Sequence, residues 1–188
     1  MAVATGSAPL RRFTVAEYYR MAEVGILAPE ERVELLDGEI IQVSPIGSRH
    51  AACVDRINRL LIPAQPRAIV RVQGPIRLDD HSEPEPDLAL LRPRPDFFAT
   101  GHPGPADVFL IVEVMDTSAA SDRTIKLALY ARSGIAEVWL VDLNRGLIEV
   151  HRHPSAAGFG EVLILQRGQT LAPLAFPDLV LAVDAILG

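Results

Sequence analysis

Apolar residues along this chain switch between two spacings. From Ser48 to Leu61 they fall three and four apart, at Val54, Ile57, Leu60 and Leu61, which predicts a helix with one inward stripe. Pro63 and Pro66 end it. Upstream, Thr14 precedes "VAEYYRMAEV" with Glu17 three positions on, a capping-box pattern for a helix that ends near Gly25. Pro29 opens a second short turn through Glu31 to Leu35. Asp37-Gly38 is a turn signal, and Ile41 and Val43 in "DGEIIQVS" share one face of a strand.

The middle of the chain reads as sheet. "AIVRVQG" and "PIRLDD" predict two strands, or one long strand bent at Gly74-Pro75. Pro86 starts "DLALL", at a first strand position where its missing N–H matters least. After the loop "RPRPDFFATGHPGPA", the near-continuous apolar run "DVFLIVEVM" predicts a central strand covered on both faces. A helix follows in "SAASDRTIKLALYARSG", with Ile125, Ala128 and Leu129 as its expected core stripe and Gly134 as its C-terminal cap. "AEVWLVDL" is another buried strand, and "LIEVHRH" pairs with it through "NRG". "EVLILQRG" and "LAPLAFPDLVL" add β structure, and "VDAILG" is a short terminal helix. This order predicts an α/β fold: a mixed β-sheet flanked by helices, with extra N-terminal helices and C-terminal β elements.

Composition narrows the class. The 188 residues fit one domain, expected over 13–188 after a disordered lead at 1–12. No apolar run approaches the ~20 residues that span a bilayer, and the N-terminus lacks the apolar core of a signal peptide. The expectation is a cytoplasmic protein with no membrane contact. The one cysteine, Cys53, excludes an internal disulfide and a cysteine-rich zinc site, and reads as a small core residue. A formal net charge of −6 argues against a broad nucleic-acid-binding surface. It leaves room for a local basic cleft, for which Arg67–Arg71 and Arg92–Arg94 are the available fragments unless they are simply solvated.

Two acids disturb the apolar strands. Asp87 opens "DLALL", and Glu113 splits "VFLIV" from "VM". A strand-end acid facing water would explain one of them. Two in neighbouring core strands need compensation, because a buried carboxylate is costly unless it is paired or hydrogen-bonded. A shared hard cation such as Mg²⁺ is one solution, its shell completed by waters and phosphate oxygens. Such an ion polarises a phosphoryl oxygen and acidifies a bound water. A nearby lysine can position that water or stabilise the developing charge.

"PD" at Pro86-Asp87, "VEV" around Glu113 and a nearby lysine resemble the PD-(D/E)XK, or restriction endonuclease-like, nuclease superfamily. Within it, the ordered series "ERVELLDGEIIQVSP", His50, "EPDLALL", "DVFLIVEVMDTS", "SDRTIKLALYARSGIAEVWLVD" and "LIEVHRH" resembles the Uma2 family (DUF820) across most of the chain. The resemblance implies a restriction endonuclease-like core and a Mg²⁺- or Mn²⁺-dependent endonuclease that hydrolyses phosphodiester bonds of nucleic acid, with DNA the expected substrate and a homodimer the expected state. Where the simple pattern places a lysine two residues after Glu113, this chain has Met115. The matching lysine is Lys126 on the following helix. Asp122, Lys126 and Tyr130 recur every four residues, a stripe that can aim Lys126 towards Glu113; the alternative is a surface Asp122–Lys126 ion pair.

The implied roles follow. Asp87 and Glu113 hold the metal, Lys126 orients the attacking water or stabilises the transition state, and Glu34 assists directly or through water. His50 and Tyr130 meet substrate, although His50 can equally be a proton acceptor or a polar residue at a helix start. Asp116 and Ser118 read as caps of the next helix. His151 and His153 have a spacing that can ligate a metal, but with no third ligand an exposed edge strand is the better reading, and such an edge can pair two copies. Glu83 and Glu85 read as loop acids unconnected to the site. A rival of another class is a catalytically silent restriction endonuclease-like module that binds nucleic acid or protein, which the acidic charge and the lack of a fused specificity domain would suit.

Overall fold

The computed structural model describes residues 10–65, 67–116 and 120–188. Most of the expected lead and the Ser118 cap lie outside these residues. Helix α1 (Val15–Glu23) starts as its capping box requires: the Glu17 N–H donates to Thr14 Oγ1 at 3.2 Å, and the Thr14 N–H donates back to Glu17 Oε2 at 2.9 Å. The short turn expected to run to Leu35 is instead a strand. β1 (Val33–Leu36) pairs antiparallel with β2 (Glu39–Gln42). Asp37 (φ 51°) and Gly38 (φ 75°) both take the left-handed conformation that a two-residue hairpin turn of type I′ demands. A Cβ on Gly38 would lie 2.5 Å from that of Arg12, so no larger residue fits this turn.

Six strands form the main sheet in the order β3-β4-β5-β6-β7-β8. They are β3 (Ile69–Val72), β4 (Leu88–Leu91), β5 (Val108–Met115), β6 (Glu137–Asp142), β7 (Leu147–Ser155) and β8 (Gly158–Gln166). β5 and β6 run parallel, joined by α3 (Ala120–Arg132), and the other neighbours are antiparallel. The segment "PIRLDD", expected as strand, joins no ladder of this sheet. Its backbone bonds to loops instead, Ile76 N–H to the Pro84 carbonyl at 3.0 Å and Arg77 N–H to that of Pro103 at 2.9 Å.

Side chains alternate between two covered faces. Leu88, Leu90, Leu110, Val112, Trp139 and Val141 pack with α2 (Ser48–Leu61), where Cys53 is a fully buried core residue, and with α4 (Val183–Leu187). Ala89, Leu91, Ile111, Val138 and Leu140 pack with Leu129 and Tyr130 of α3 and with Ile135 beyond it. Burial on both sides explains why these strands read as continuous apolar runs. Two short strands, β9 (Thr170–Leu171) and β10 (Leu181–Ala182), complete the C-terminal part.

Two expectations are corrected here. The inward face of α3 is Lys126, Leu129 and Tyr130; Ile125 is 41% exposed and Ala128 also faces out. Polar groups wait on the sheet side, so the helix turns its lysine inward and an isoleucine out. β7, expected as an exposed edge, is internal because β8 covers it. His151 is buried, hydrogen-bonds with Glu149 at 3.3 Å and packs against Phe159, whereas His153 is exposed, so the two do not form a ligand pair. The edge strands of this sheet are β3 and β8. Among the described residues, no helix is long and apolar enough to cross a membrane.

Candidate active site

The sheet register assembles the site. β4 pairs with β5 through Leu88 and Val112, so one residue further on Asp87 stands beside Glu113. The Gln73 N–H donates to the Asp87 carbonyl at 3.0 Å, which extends the row Gln73, Asp87, Glu113 across three strands. The prolines of "EPEPD" hold the approach to β4 extended, because a residue before proline is driven out of the helical region.

Asp87 is tightly placed. Its Oδ2 accepts the Val114 N–H at 2.8 Å and lies 3.0 Å from Nε2 of His50, the third residue of α2. This bond to Asp87 raises the His50 pKa, against the opposite pull of burial. A carboxylate only accepts, so His50 donates from Nε2 and fixes Asp87; its Nδ1 is buried without a hydrogen-bond partner among the described residues.

Glu113 points to the α3 side. Its Oε1 accepts from Tyr130 Oη at 2.6 Å and lies 3.5 Å from Lys126 Nζ. Burial pushes its pKa up to about 7, and the nearby Asp87 and Glu34 push the same way, while Lys126 and the Tyr130 hydroxyl pull it down. Lys126 Nζ is 3.0 Å from each carboxylate oxygen of Glu34 on β1. Lys126 thus bridges Glu34 and Glu113. The strand at residues 33–36 makes this possible, because it places Glu34 3% exposed against α3 instead of in a turn.

These groups line one cleft of about 420 Å³, with Glu34, His50, Gln73, Asp87, Glu113 and Lys126 in its wall. Tyr130, expected as a substrate contact, is fully buried and outside that wall. It orients Glu113 instead. Asp116 also lines the cleft, and its carboxylate accepts from Arg49 at 3.0 Å.

Two further cleft residues, Glu85 and Gln73, escaped the sequence reading. Glu85 lines the cleft, and its signal was available: in an extended chain, residues two apart share a side, so Glu85 follows Asp87. Glu83 is buried and accepts from Tyr19 Oη at 2.6 Å, so it is a structural acid. Gln73 has a left-handed backbone (φ 46°) that nothing in its neighbours announces.

The donor set suits a hard divalent cation. Asp87 and Glu113 are register neighbours whose carboxylates both line the cleft. No three His, Cys, Asp or Glu side chains among the described residues gather closely enough to hold a metal alone. Mg²⁺ is commonly held by one or two carboxylates, with waters and substrate oxygens completing its shell.

Comparison with known proteins gives the same outline. No curated protein matches the chain significantly. A solved structure described as "a putative nuclease belonging to DUF820", from Anabaena variabilis ATCC 29413, matches with a TM-score of 0.70 at 19% identity, covering 93% of this chain and 97% of that one. The chain therefore shares that structure's fold. The sequence profile of Uma2, described as "Putative restriction endonuclease", matches residues 15–184, from α1 into α4 and through every strand that carries the cleft. The chain belongs to the Uma2 family.

Proposed function

We propose that this protein is a metal-dependent nuclease that hydrolyses phosphodiester bonds, with DNA as substrate and Mg²⁺ or Mn²⁺ as cofactor. The observation that carries this reading is the meeting of Asp87, Glu113 and Lys126 in one cleft, from two strands and a helix. Asp87 and Glu113 would hold the cation, which when bound would polarise a phosphoryl oxygen and acidify a water.

The chain's own groups prepare that chemistry. The Tyr130 hydroxyl fixes the rotamer of Glu113. His50 and the Val114 N–H fix that of Asp87. Glu34 holds the Lys126 ammonium in the cleft, where its positive charge can stabilise the oxyanion that develops at phosphorus. A silent binding scaffold requires none of this. An apolar residue at 113 would pack against α3 without the cost of a part-buried acid.

The test is incubation of the purified protein with plasmid and single-stranded DNA in Mg²⁺ or Mn²⁺. Cleavage is expected in the wild type, abolished by chelator and by Asp87→Ala. Equal cutting by the variant, or no cutting by either, would overturn the assignment.

A further inference from the structure

The cleft wall is rich in acids, so a polyanionic substrate needs cations beside it. One corner of the sheet supplies them. Arg71 on the edge strand β3 pairs in register with Ala89, one step along from the row of Gln73, Asp87 and Glu113. Strand spacings of ~4.8 Å and a two-residue step of ~6.8 Å put the Arg71 and Glu113 backbones about 12 Å apart. That is three to four base steps at ~3.4 Å of rise each.

Arg71 is a cation without an acid. No carboxylate pairs with it among the described residues, and its guanidinium donates to the Phe97 carbonyl at 3.3 Å. Its guanidinium lies 5.4 Å from the centre of the Phe98 ring, and that of Arg94 lies 4.9 Å from the same ring. Arg94 is partly neutralised by Asp96, at 2.6 Å. A Cβ on Gly74 would sit 2.9 Å from Arg71 Cδ, so the glycine leaves space for the arginine stem.

The adjoining loop is unusual in its backbone. Phe97 (φ 50°) and Phe98 (φ 63°) are consecutive bulky residues in the left-handed region, where such side chains are rarely found. Phe98 is 5% exposed and anchors the turn; Phe97 is 69% exposed and turned out to solvent. The Phe97 N–H bonds the Arg94 carbonyl at 3.0 Å, and the Ala99 N–H bonds that of Asp96 at 2.9 Å, which locks the turn. A strained turn that holds an aromatic ring in water beside an unpaired guanidinium does nothing for the core. Positive charge with an exposed ring is the pairing that grips nucleic acid, phosphate by the cation and base by the ring face.

We infer that Arg71 and Phe97 form the nucleic-acid contact flanking the cleft, Arg71 on a backbone phosphate and Phe97 stacked on a base. This rests on the cleft being a nucleic-acid site, and the experiment separates the two claims. Binding of a fluorescein-labelled 20-base-pair DNA duplex and of its single strand is measured by anisotropy in Ca²⁺ at several salt concentrations. Arg71→Ala and Phe97→Ala are each expected to weaken binding about five- to tenfold. Arg71→Ala should also reduce the salt slope by about one, and Phe97→Ala should leave it unchanged. Arg20→Ala, which removes the same charge from exposed α1, should bind as the wild type.

If the wild type binds and both corner variants bind equally well, the corner is not a contact and the cleft assignment stands. An equal loss in Arg20→Ala would show a net-charge effect and overturn the inference. A wild type that binds neither DNA form overturns both claims.

Discussion

Replacing Lys126 by methionine is expected to cost the fold about 3–5 kcal/mol, a large share of a small domain's stability. Lys126 is 8% exposed and Glu34 is 3% exposed, with the ammonium 3.0 Å from both carboxylate oxygens. Glu113, 3.5 Å away, loses the same cation. The cost lies less in a lost attraction than in a buried carboxylate, Glu34, and a part-buried one, Glu113, left without that charge. Adding Glu34→Gln to Lys126→Met should therefore restore more than 1 kcal/mol, although it removes a second native group. Urea unfolding of the four proteins of this cycle measures it, read as midpoint shifts at constant slope. A loss below about 1 kcal/mol in Lys126→Met would mean that the lysine is effectively solvated and the bridge is misread.

Glu113→Gln should move stability and activity in opposite directions. The folded protein holds the Glu113 pKa at about 7, above the ordinary value of 4.5. The fold therefore favours the protonated acid. Its contribution is fully present below about pH 4.5, declines as pH rises and is lost above about pH 7. Glutamine mimics the protonated form and still accepts from Tyr130. Without metal, the variant should match the wild type near pH 4.5 and exceed it at pH 8 by on the order of 3 kcal/mol. Thermal melts in chelator at the two pH values measure the difference. Cleavage in Mg²⁺ should fall about a hundred- to a thousandfold, because electrostatic groups at a hydrolytic centre are worth that much. A variant that is less stable at pH 8, or that cuts normally, would remove Glu113 from the role assigned to it.

The sheet was largely legible because both its faces are covered. Apolar runs at 88–91, 108–115 and 137–142 admit few other placements, and α2 was readable to its ends from spacing and prolines. The N-terminal hairpin was harder. "VELL" follows acids and a proline and carries no alternation over its four residues, so only its pairing with β2 identifies it as a strand. The error mattered for the site, because it left Glu34 in a turn and hid its bond to Lys126. The orientation of α3 failed for a related reason. Hydrophobic spacing favours Ile125 inward, but buried carboxylates on the sheet side are a stronger claim on Lys126 than the core has on an isoleucine.

The site itself was visible in part. Asp87 and Glu113 stand out as acids among apolar neighbours, and the register brings them together. The role of Tyr130 was not visible, since a four-residue stripe does not say which member meets solvent. Gln73 was not visible either, because its position depends on a backbone conformation that its neighbours do not encode. The stacking of Arg71 and Arg94 on one ring joins two fragments more than twenty residues apart, which no local pattern could have linked.

Calorimetric titration with Mn²⁺ at pH 8 tests the central claim most directly, that Asp87 and Glu113 together hold the cation beside Lys126. The account predicts binding to the wild type at millimolar concentration or below, with heat lost in both Asp87→Asn and Glu113→Gln while their melts show folded protein. Binding retained in either variant, or a wild type that takes up no Mn²⁺, would contradict it.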